Sequence, residues 1–220
     1  SPAELTLAAT WLSGRAFGRG HEYRNLKVGP ALIRQALLKS SGLPLARYRV
    51  ISNSQNETAR TARILLEEAE VTPDGRTLKE IDDLLESLAK AEGALERSDL
   101  LAESFASLHP KESESLVRIL TGGLRIGSGE GLLEEAVGEA FSQNGAAVRE
   151  AHMLLGDLGQ VALLAREGEI EKAKLTPFVP IKVMLASPEE TAEDLVARLG
   201  SSAMWLEHKY DGIRAQLHKK

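Results

Sequence analysis

A short stretch near the end of the chain combines residue types suited to nucleotide chemistry. Residues 207–214 read EHKYDGIR, so that Lys209 precedes an Asp-Gly turn dipeptide and Arg214 follows it. A lysine amine becomes a nucleophile when desolvation or nearby cations deprotonate it, and an arginine fork suits phosphate or ribose oxygens. Glu207 lies two residues before the lysine, on the same face of a strand, where its carboxylate could accept from an exocyclic amine. An ordinary surface hairpin is the alternative interpretation.

A second stretch, residues 122–131, is rich in glycine and contains one arginine, Arg125. Glycine lets the backbone approach a partner closely, and the N-terminus of a following helix favours phosphate. Arg125 would add a charge without reading base sequence. A flexible connection between helices is the alternative, and the nearby Glu130, Glu134 and Glu135 would repel phosphate unless they point away.

The residues up to about 167 are predicted to form the helices that position these stretches. Apolar residues recur there at spacings of three and four, with almost no alternation of period two. The pattern predicts a compact all-α domain of eight or nine helices. Pairs with capping-box spacing, Ser54 with Glu57 and Thr77 with Glu80, predict two helix starts, and Ser98 and Pro110 predict two more.

The composition changes near residue 168, where we predict a domain boundary. A charged stretch and then Pro177 and Pro180 interrupt the helical pattern. A short helix is predicted to begin around Ser187 and end at Gly200. Residues 203–210 and 213–217 are predicted to form two strands joined by the Asp-Gly turn. Trp205 is predicted to pack in a core, and Lys182 to be a solvated charge.

The composition excludes several classes of protein. The 220 residues are 43% hydrophobic and 27% charged, which is ordinary for a globular protein and rules out a disordered tail. No apolar run is long enough to cross a membrane, and no secretory signal opens the chain. Without cysteine there can be no disulfide, thiolate zinc site or cysteine nucleophile. The net charge of −5 means that any binding to nucleic acid must use a local basic surface.

Four stretches together resemble the ATP-dependent DNA ligases. Residues 207–214 resemble their adenylation motif, and residues 180–186 (PIKVMLA) resemble the lead-in to the adenylation domain. Residues 120–127 (LTGGLRIG) are similar to the signature loop of the helical DNA-binding domain, and residues 12–15 (LSGR) to an early stretch of it. The resemblance implies a mainly α fold. A helical DNA-binding domain over 1–170 would precede the first helix and strands of an α+β nucleotidyltransferase domain over 175–220, left incomplete.

The resemblance also implies a reaction, sealing of nicks in double-stranded DNA for replication, repair or recombination, with ATP and Mg²⁺ as cofactors. Lys209 would be the catalytic residue that forms a lysyl-AMP intermediate, with Glu207 and Arg214 as further ATP contacts. The residues implied to contact DNA are Gly123, Arg125, Gly127 and Arg15. We expect a monomer, in the nucleoid-associated cytoplasm or the nucleus according to the organism.

The sequence departs from the family in one large respect. It ends six residues after Arg214, so the later nucleotidyltransferase motifs are not in it, and we expect that this fragment neither ligates nor adenylates itself. Two other functions stay open: a non-catalytic helical DNA-binding or scaffold module, and a related RNA ligase or capping-type nucleotidyltransferase.

Overall fold

A computed structural model describes residues 1–18, 26–122, 129–182 and 188–200, together with 203, 205, 207, 208, 210, 212, 213 and 215–219. These residues form eleven α-helices and one short 3₁₀ helix, and no strand occurs among them. The α-helices are α1 (Pro2–Leu12), α2 (Pro30–Ser41), α3 (Leu45–Ser54), α4 (Thr58–Glu68), α5 (Leu78–Lys90), α6 (Ala94–Ser107), α7 (Pro110–Leu120), α8 (Glu130–Ala140), α9 (Gly145–Leu155), α10 (Leu158–Glu167) and α11 (Ala192–Leu199). The predicted helical character of the first 167 residues is therefore confirmed where the structure describes them, but the described residues there form ten α-helices rather than the predicted eight or nine, because α3 was not predicted.

Most helix starts follow from local side-chain chemistry. The Thr77 hydroxyl accepts from the backbone N–H of Glu80, whose carboxylate accepts from the N–H of Thr77, so α5 begins with the predicted capping box. The side chains of Asn144 and Asp157 cap α9 and α10 in the same sense, each accepting from two backbone N–H groups. Proline in the first turn opens α2 and α7.

The helices enclose one large core and one smaller one. In the larger core, α2 packs on α6 and α4 packs on α7 around fully buried side chains that include Leu37, Leu65 and Phe105. The smaller core lies between α8, α9 and α10, where Val148 and Val161 are fully buried. Helix α1 lies across α10 and so connects the two groups of helices.

Two predicted helix starts are wrong, for a shared reason. Ser54 does not cap α4, because it is the last residue of α3, a helix that the sequence pattern did not predict, and its hydroxyl donates to the carbonyl of Ile51. Helix α4 starts after Glu57 without a side-chain cap. Helix α6 begins at Ala94 rather than at Ser98, which is buried within it. Serine is equally compatible with a helix start, a helix end and a buried small position, so packing decides.

The prediction of two strands over 203–210 and 213–217 is not supported, since none of the residues described in these spans is in a strand. The prediction that Trp205 is a core residue is wrong, because its side chain is 93% exposed. A two-stranded hairpin is marginally stable unless other strands or a helix cover it, and Trp205 has no such cover among the described residues. The predicted helix before it exists as α11 and ends before Gly200, as expected.

Residues near the C-terminus instead form hydrogen bonds with residues 178 and 181, in the segment that precedes α11. The Gln216 side-chain amide accepts from the N–H of Ile181 at 2.9 Å and donates to the Ile181 carbonyl at 2.8 Å. The His218 ring accepts from the N–H of Phe178 at 3.1 Å. None of the described helices has the length and apolar character needed to span a membrane.

Candidate nucleic-acid interface

The helical fold brings Gly14, from the stretch 12–15, close to Gly122, from the glycine-rich stretch 122–131, at the ends of α1 and α7. Gly14 follows α1 with a φ of +81°, and Gly122 follows α7 with a φ of +72°, both in the left-handed region that favours glycine. A Cβ atom on Gly14 would lie 3.8 Å from the carbonyl oxygen of Gly122. Two segments that are more than 100 residues apart in sequence are therefore in contact.

Arg15 lies beside this contact and keeps part of its guanidinium accessible. Its Nη1 donates to the carbonyl of Gly156 at 3.4 Å, and its Nη2 lies 3.9 Å from a carboxylate oxygen of Glu130. The Arg15 side chain is 39% exposed. A guanidinium has five N–H donors, so Arg15 can hold both of these acceptors and still donate to a phosphate oxygen.

Glu130 is the first residue of α8 and lies near the end of the glycine-rich stretch 122–131. The N-cap of α8 is Gly129, which makes no side-chain cap hydrogen bond. The first N–H groups of the helix are thus not used by a capping side chain. Three of the residues that the resemblance assigns to DNA contact, Gly123, Arg125 and Gly127, lie outside the described residues. The described residues on either side of them are Gly122, which approaches Gly14, and Gly129, which precedes Glu130.

Two of the three acidic residues near this stretch, Glu130 and Glu134, form ion pairs, whereas Glu135 is exposed. The Lys182 ammonium lies 2.7 Å from Glu130 and 3.3 Å from Glu134. Glu134 is buried and also contacts the His152 ring nitrogen Nδ1 at 2.6 Å. Burial opposes ionisation of Glu130, but the hydrogen bond and charge of Lys182, with His152 and Arg15, hold the pKa of Glu130 below its ordinary value. The expected repulsion of phosphate is thereby reduced.

Sequence reasoning missed Lys182, which was expected to be solvated. Its two partners lie about 50 positions earlier in the chain, and no local spacing rule connects residues so far apart. The one signal available was its place within the lead-in stretch 180–186. His152 is a buried partner of Glu134. No group of three or more possible metal-binding side chains occurs among the residues that the structure describes.

The residues predicted to bind ATP are not assembled into a site in the described part of the chain. Lys209 and Arg214 lie outside the described residues, and Glu207 is exposed. The neighbouring Tyr210 and Ile213 are 86% and 100% exposed. The described residues therefore do not by themselves form a site that fits a nucleotide or Mg²⁺.

Comparison with known proteins finds a family match within the helical part of the chain. Residues 2–138 match the protein family described as DNA ligase N terminus. The "Probable DNA ligase" of Opitutus terrae is 34% identical in an alignment that covers all of this chain and 28% of the relative. The "Probable DNA ligase" of Koribacter versatilis is 34% identical over 98% of this chain and 37% of the relative. The "DNA ligase" of Methanosphaerula palustris is 32% identical over 100% and 40%. The chain thus spans between about a quarter and two fifths of the length of these relatives.

Proposed function

The chain belongs to the DNA ligase N-terminus family, and we propose that it is the DNA-binding part of an ATP-dependent DNA ligase. The observation that carries the proposal is the contact between Gly14 and Gly122, with the half-exposed Arg15 beside it. The described ends of these two stretches, Gly14 and Gly122, lie against each other, which supports a shared binding surface.

The chemistry of this surface favours the sugar-phosphate backbone over base edges. Glycines admit a close approach of the DNA backbone, and guanidinium groups such as that of Arg15 donate to phosphate oxygens. Contacts of this kind position a protein on a duplex without reading sequence. Such binding suits a protein that must act at nicks in any sequence, and it weakens as salt increases because counterions are released.

We assign the catalytic part of the proposed reaction to Lys209 on the strength of the resemblance. The deprotonated amine of Lys209 would attack the α-phosphorus of ATP, a phosphorus–nitrogen bond would form, and pyrophosphate would leave. Glu207 would contact the adenine amine and Arg214 the ribose or phosphate side. AMP would then pass to the 5′-phosphate of a nick, and the 3′-hydroxyl would displace it.

The binding proposal is tested by fluorescence anisotropy with a nicked duplex across a salt series. We compare the 220-residue chain with its Arg15→Ala and Arg125→Ala variants. Affinity should fall as salt rises, and each variant should bind several-fold more weakly. The log–log salt slope should be shallower by about 0.9 for each phosphate that the variant no longer neutralises.

A matched control removes a positive charge elsewhere. Arg49 is exposed on α3, a helix that packs on α4, and it makes no ion pair with any residue that the structure describes. Arg49→Ala should leave the affinity nearly unchanged. Equal losses of affinity in all three variants would show that overall charge, not this surface, holds DNA. No binding at low salt would contradict the proposal itself.

A further inference from the structure

Lys182 holds two carboxylates at once, through a side chain that is only 29% exposed. Its ammonium is 2.7 Å from Glu130 and 3.3 Å from Glu134, and the Glu134 side chain is 8% exposed. The backbone N–H of Lys182 also donates to the carbonyl of Met153 in α9, at 2.9 Å. Both the main chain and the side chain of this residue are therefore attached to the α8–α9 pair. We call Lys182, Glu130 and Glu134 the clasp.

The clasp differs from the exposed ion pairs on the rest of the surface. Pairs such as Lys39 with Asp99, whose side chains are 58% and 48% exposed, contribute little because water screens them. Removing Lys182 would leave the carboxylate of Glu134 buried, with His152 as its remaining ion-pair partner among the residues that the structure describes. Removing one member of a buried pair is far more costly than removing one member of an exposed pair.

The clasp lies between the part of the chain assigned to DNA contact and the segment that leads to the residues assigned to ATP. Glu130 follows Gly129 at the end of the glycine-rich stretch, and its other carboxylate oxygen faces Arg15 at 3.9 Å. Lys182 belongs to the segment that leads toward residues 207–214. One carboxylate thus bridges a residue assigned to DNA contact and the segment that precedes the residues assigned to ATP. The hydrogen bonds that join Gln216 and His218 to residues 178 and 181 of this segment are exposed.

We propose that Lys182 is a positioning residue. Through its ion pairs with Glu130 and Glu134, it holds the lead-in stretch, which precedes the residues assigned to ATP, against α8. The proposal rests on the proposed function, because the two parts that Lys182 aligns are the surface proposed to bind DNA and the segment that leads to the proposed adenylation motif at 207–214. Its consequence is that DNA held at the glycine-rich stretch and Arg15 stabilises the lead-in segment through Glu130.

The test is amide hydrogen exchange of the 220-residue chain, alone and with a nicked duplex. In the free protein, Lys182→Met should speed exchange of the residue 182 amide about tenfold, because the variant has no charge-assisted hydrogen bond to hold the segment closed. Lys182→Arg should restore most of the protection. Exchange within α4 and α7 should stay unchanged, which checks that the variant is folded.

Two further variants separate the clasp from a general effect of charge. Lys174→Met removes an exposed lysine from the same segment and should not alter exchange at residue 182. Glu130→Gln should speed exchange, and combining it with Lys182→Met should add less than the sum of the two effects, because both remove one interaction. Additive effects, or no effect of Lys182→Met, would overturn the proposal.

Adding the nicked duplex tests the positioning role and keeps the two proposals distinguishable. In the wild type, the duplex should slow amide exchange at residues 178, 179, 181 and 182. In Lys182→Met it should not, even at duplex concentrations where anisotropy measures full binding of the variant. Protection that rises equally in both would overturn the positioning role. If the wild type fails to bind the duplex, the DNA-binding proposal fails, while the exchange data without DNA still decide whether the clasp exists.

Discussion

Arg97 is a charged residue that the fold buries to satisfy the end of the preceding helix. It is 6% exposed, and its Nη2 donates to the carbonyl of Ala91 while its Nε donates to the carbonyl of Leu88 at 3.3 Å. These carbonyls belong to the last turn of α5 and its C-cap, where the negative end of the helix dipole favours a cation. Arg97 therefore serves the structure of the α5–α6 connection.

We expect Arg97→Met to lower the free energy of unfolding by about 2 to 3 kcal/mol, since two buried carbonyls would then have no side-chain donor. Urea denaturation measures the change. Arg34→Met, at an exposed position of α2, is the matched control and should change stability by less than about 0.5 kcal/mol. Similar values for the two variants would show that Arg97 owes its burial to packing alone.

The clasp makes a second prediction at the residue scale, a dependence on pH. Burial works against ionisation of both groups, yet their hydrogen bond and opposite charges outweigh it, so that the pKa of Glu130 lies below its ordinary 4.5 and the pKa of Lys182 above its ordinary 10.5. Glu134 adds to the shift of Lys182, and His152 and Arg15 add to that of Glu130.

The sign of each shift defines the pH range in which the clasp stabilises the fold. A lowered carboxylate pKa contributes stability above 4.5 that disappears as the pH falls through the folded value. A raised lysine pKa contributes stability below 10.5 that disappears as the pH rises through the folded value. Urea unfolding of wild type and Lys182→Met should thus differ most at about pH 7 and converge toward both extremes. A difference that is independent of pH would contradict this origin.

At the scale of the helices, the crossing of α1 and α10 requires a glycine. A Cβ atom on Gly159 would lie 2.6 Å from the carbonyl oxygen of Thr6, and closer still to the hydroxyl oxygen of Thr10. Both atoms belong to α1, and a carbonyl of the helix backbone cannot rotate away as a side chain can. The close approach of the two helices therefore depends on the missing side chain at position 159.

Gly159→Ala should destabilise the protein by about 1 to 3 kcal/mol, because the two helices must separate. Gly131→Ala provides a control of opposite sign. This glycine lies in α8, and a Cβ there would meet no atom within 4 Å, so alanine should stabilise the helix by roughly 0.5 to 1 kcal/mol. Urea denaturation of both variants measures the difference, and a neutral Gly159→Ala would show that α1 shifts freely on α10.

The helices that the sequence predicted are those whose signals lie within one turn. Thr77 and Glu80 are three residues apart, and the capping box that their spacing predicts is present. The box predicted for Ser54 and Glu57 is absent because Ser54 ends α3, and the Glu57 carboxylate instead accepts from Nε of Arg118 at 2.9 Å, a contact that joins residues 61 positions apart. Long-range pairing overrides local preference here, and the sequence contains no local sign of it.

The same distinction applies to the candidate interface. Gly123, Arg125, Gly127 and Arg15 were selected from composition and from the resemblance, and these assignments stay predictions. The contact of Gly14 with Gly122 depends on where the ends of α1 and α7 lie. The clasp depends on how residue 182 packs against α8. Such contacts depend on tertiary packing, which neither periodicity nor motif spacing encodes.

For the whole molecule, the net charge of −5 is compatible with a surface for DNA because many charges pair within the protein. Glu114 is shared by Arg63 and Arg118, and Glu130 is shared by Arg15 and Lys182. The long-range field that a DNA duplex meets depends on the unpaired charges near its binding surface more than on the total. We expect the affinity to fall with salt even for this acidic chain, because each phosphate that the protein neutralises releases counterions.

The last prediction concerns catalysis by the 220-residue chain, which we expect to bind nicked DNA without sealing it. In the described part of residues 203–219 no strand is formed, and the side chains of Trp205 and Leu217 are 93% and 99% exposed. A lysine amine becomes a nucleophile where desolvation or nearby cations deprotonate it, and the described residues around position 209 build no enclosed site that would do so. Incubation with ATP labelled on the α-phosphate and Mg²⁺ should leave no label on the protein, and a nicked duplex should stay open. Lys209→Met is the control: label retained by the wild type but not by this variant would show that the chain assembles an active nucleotide site on its own.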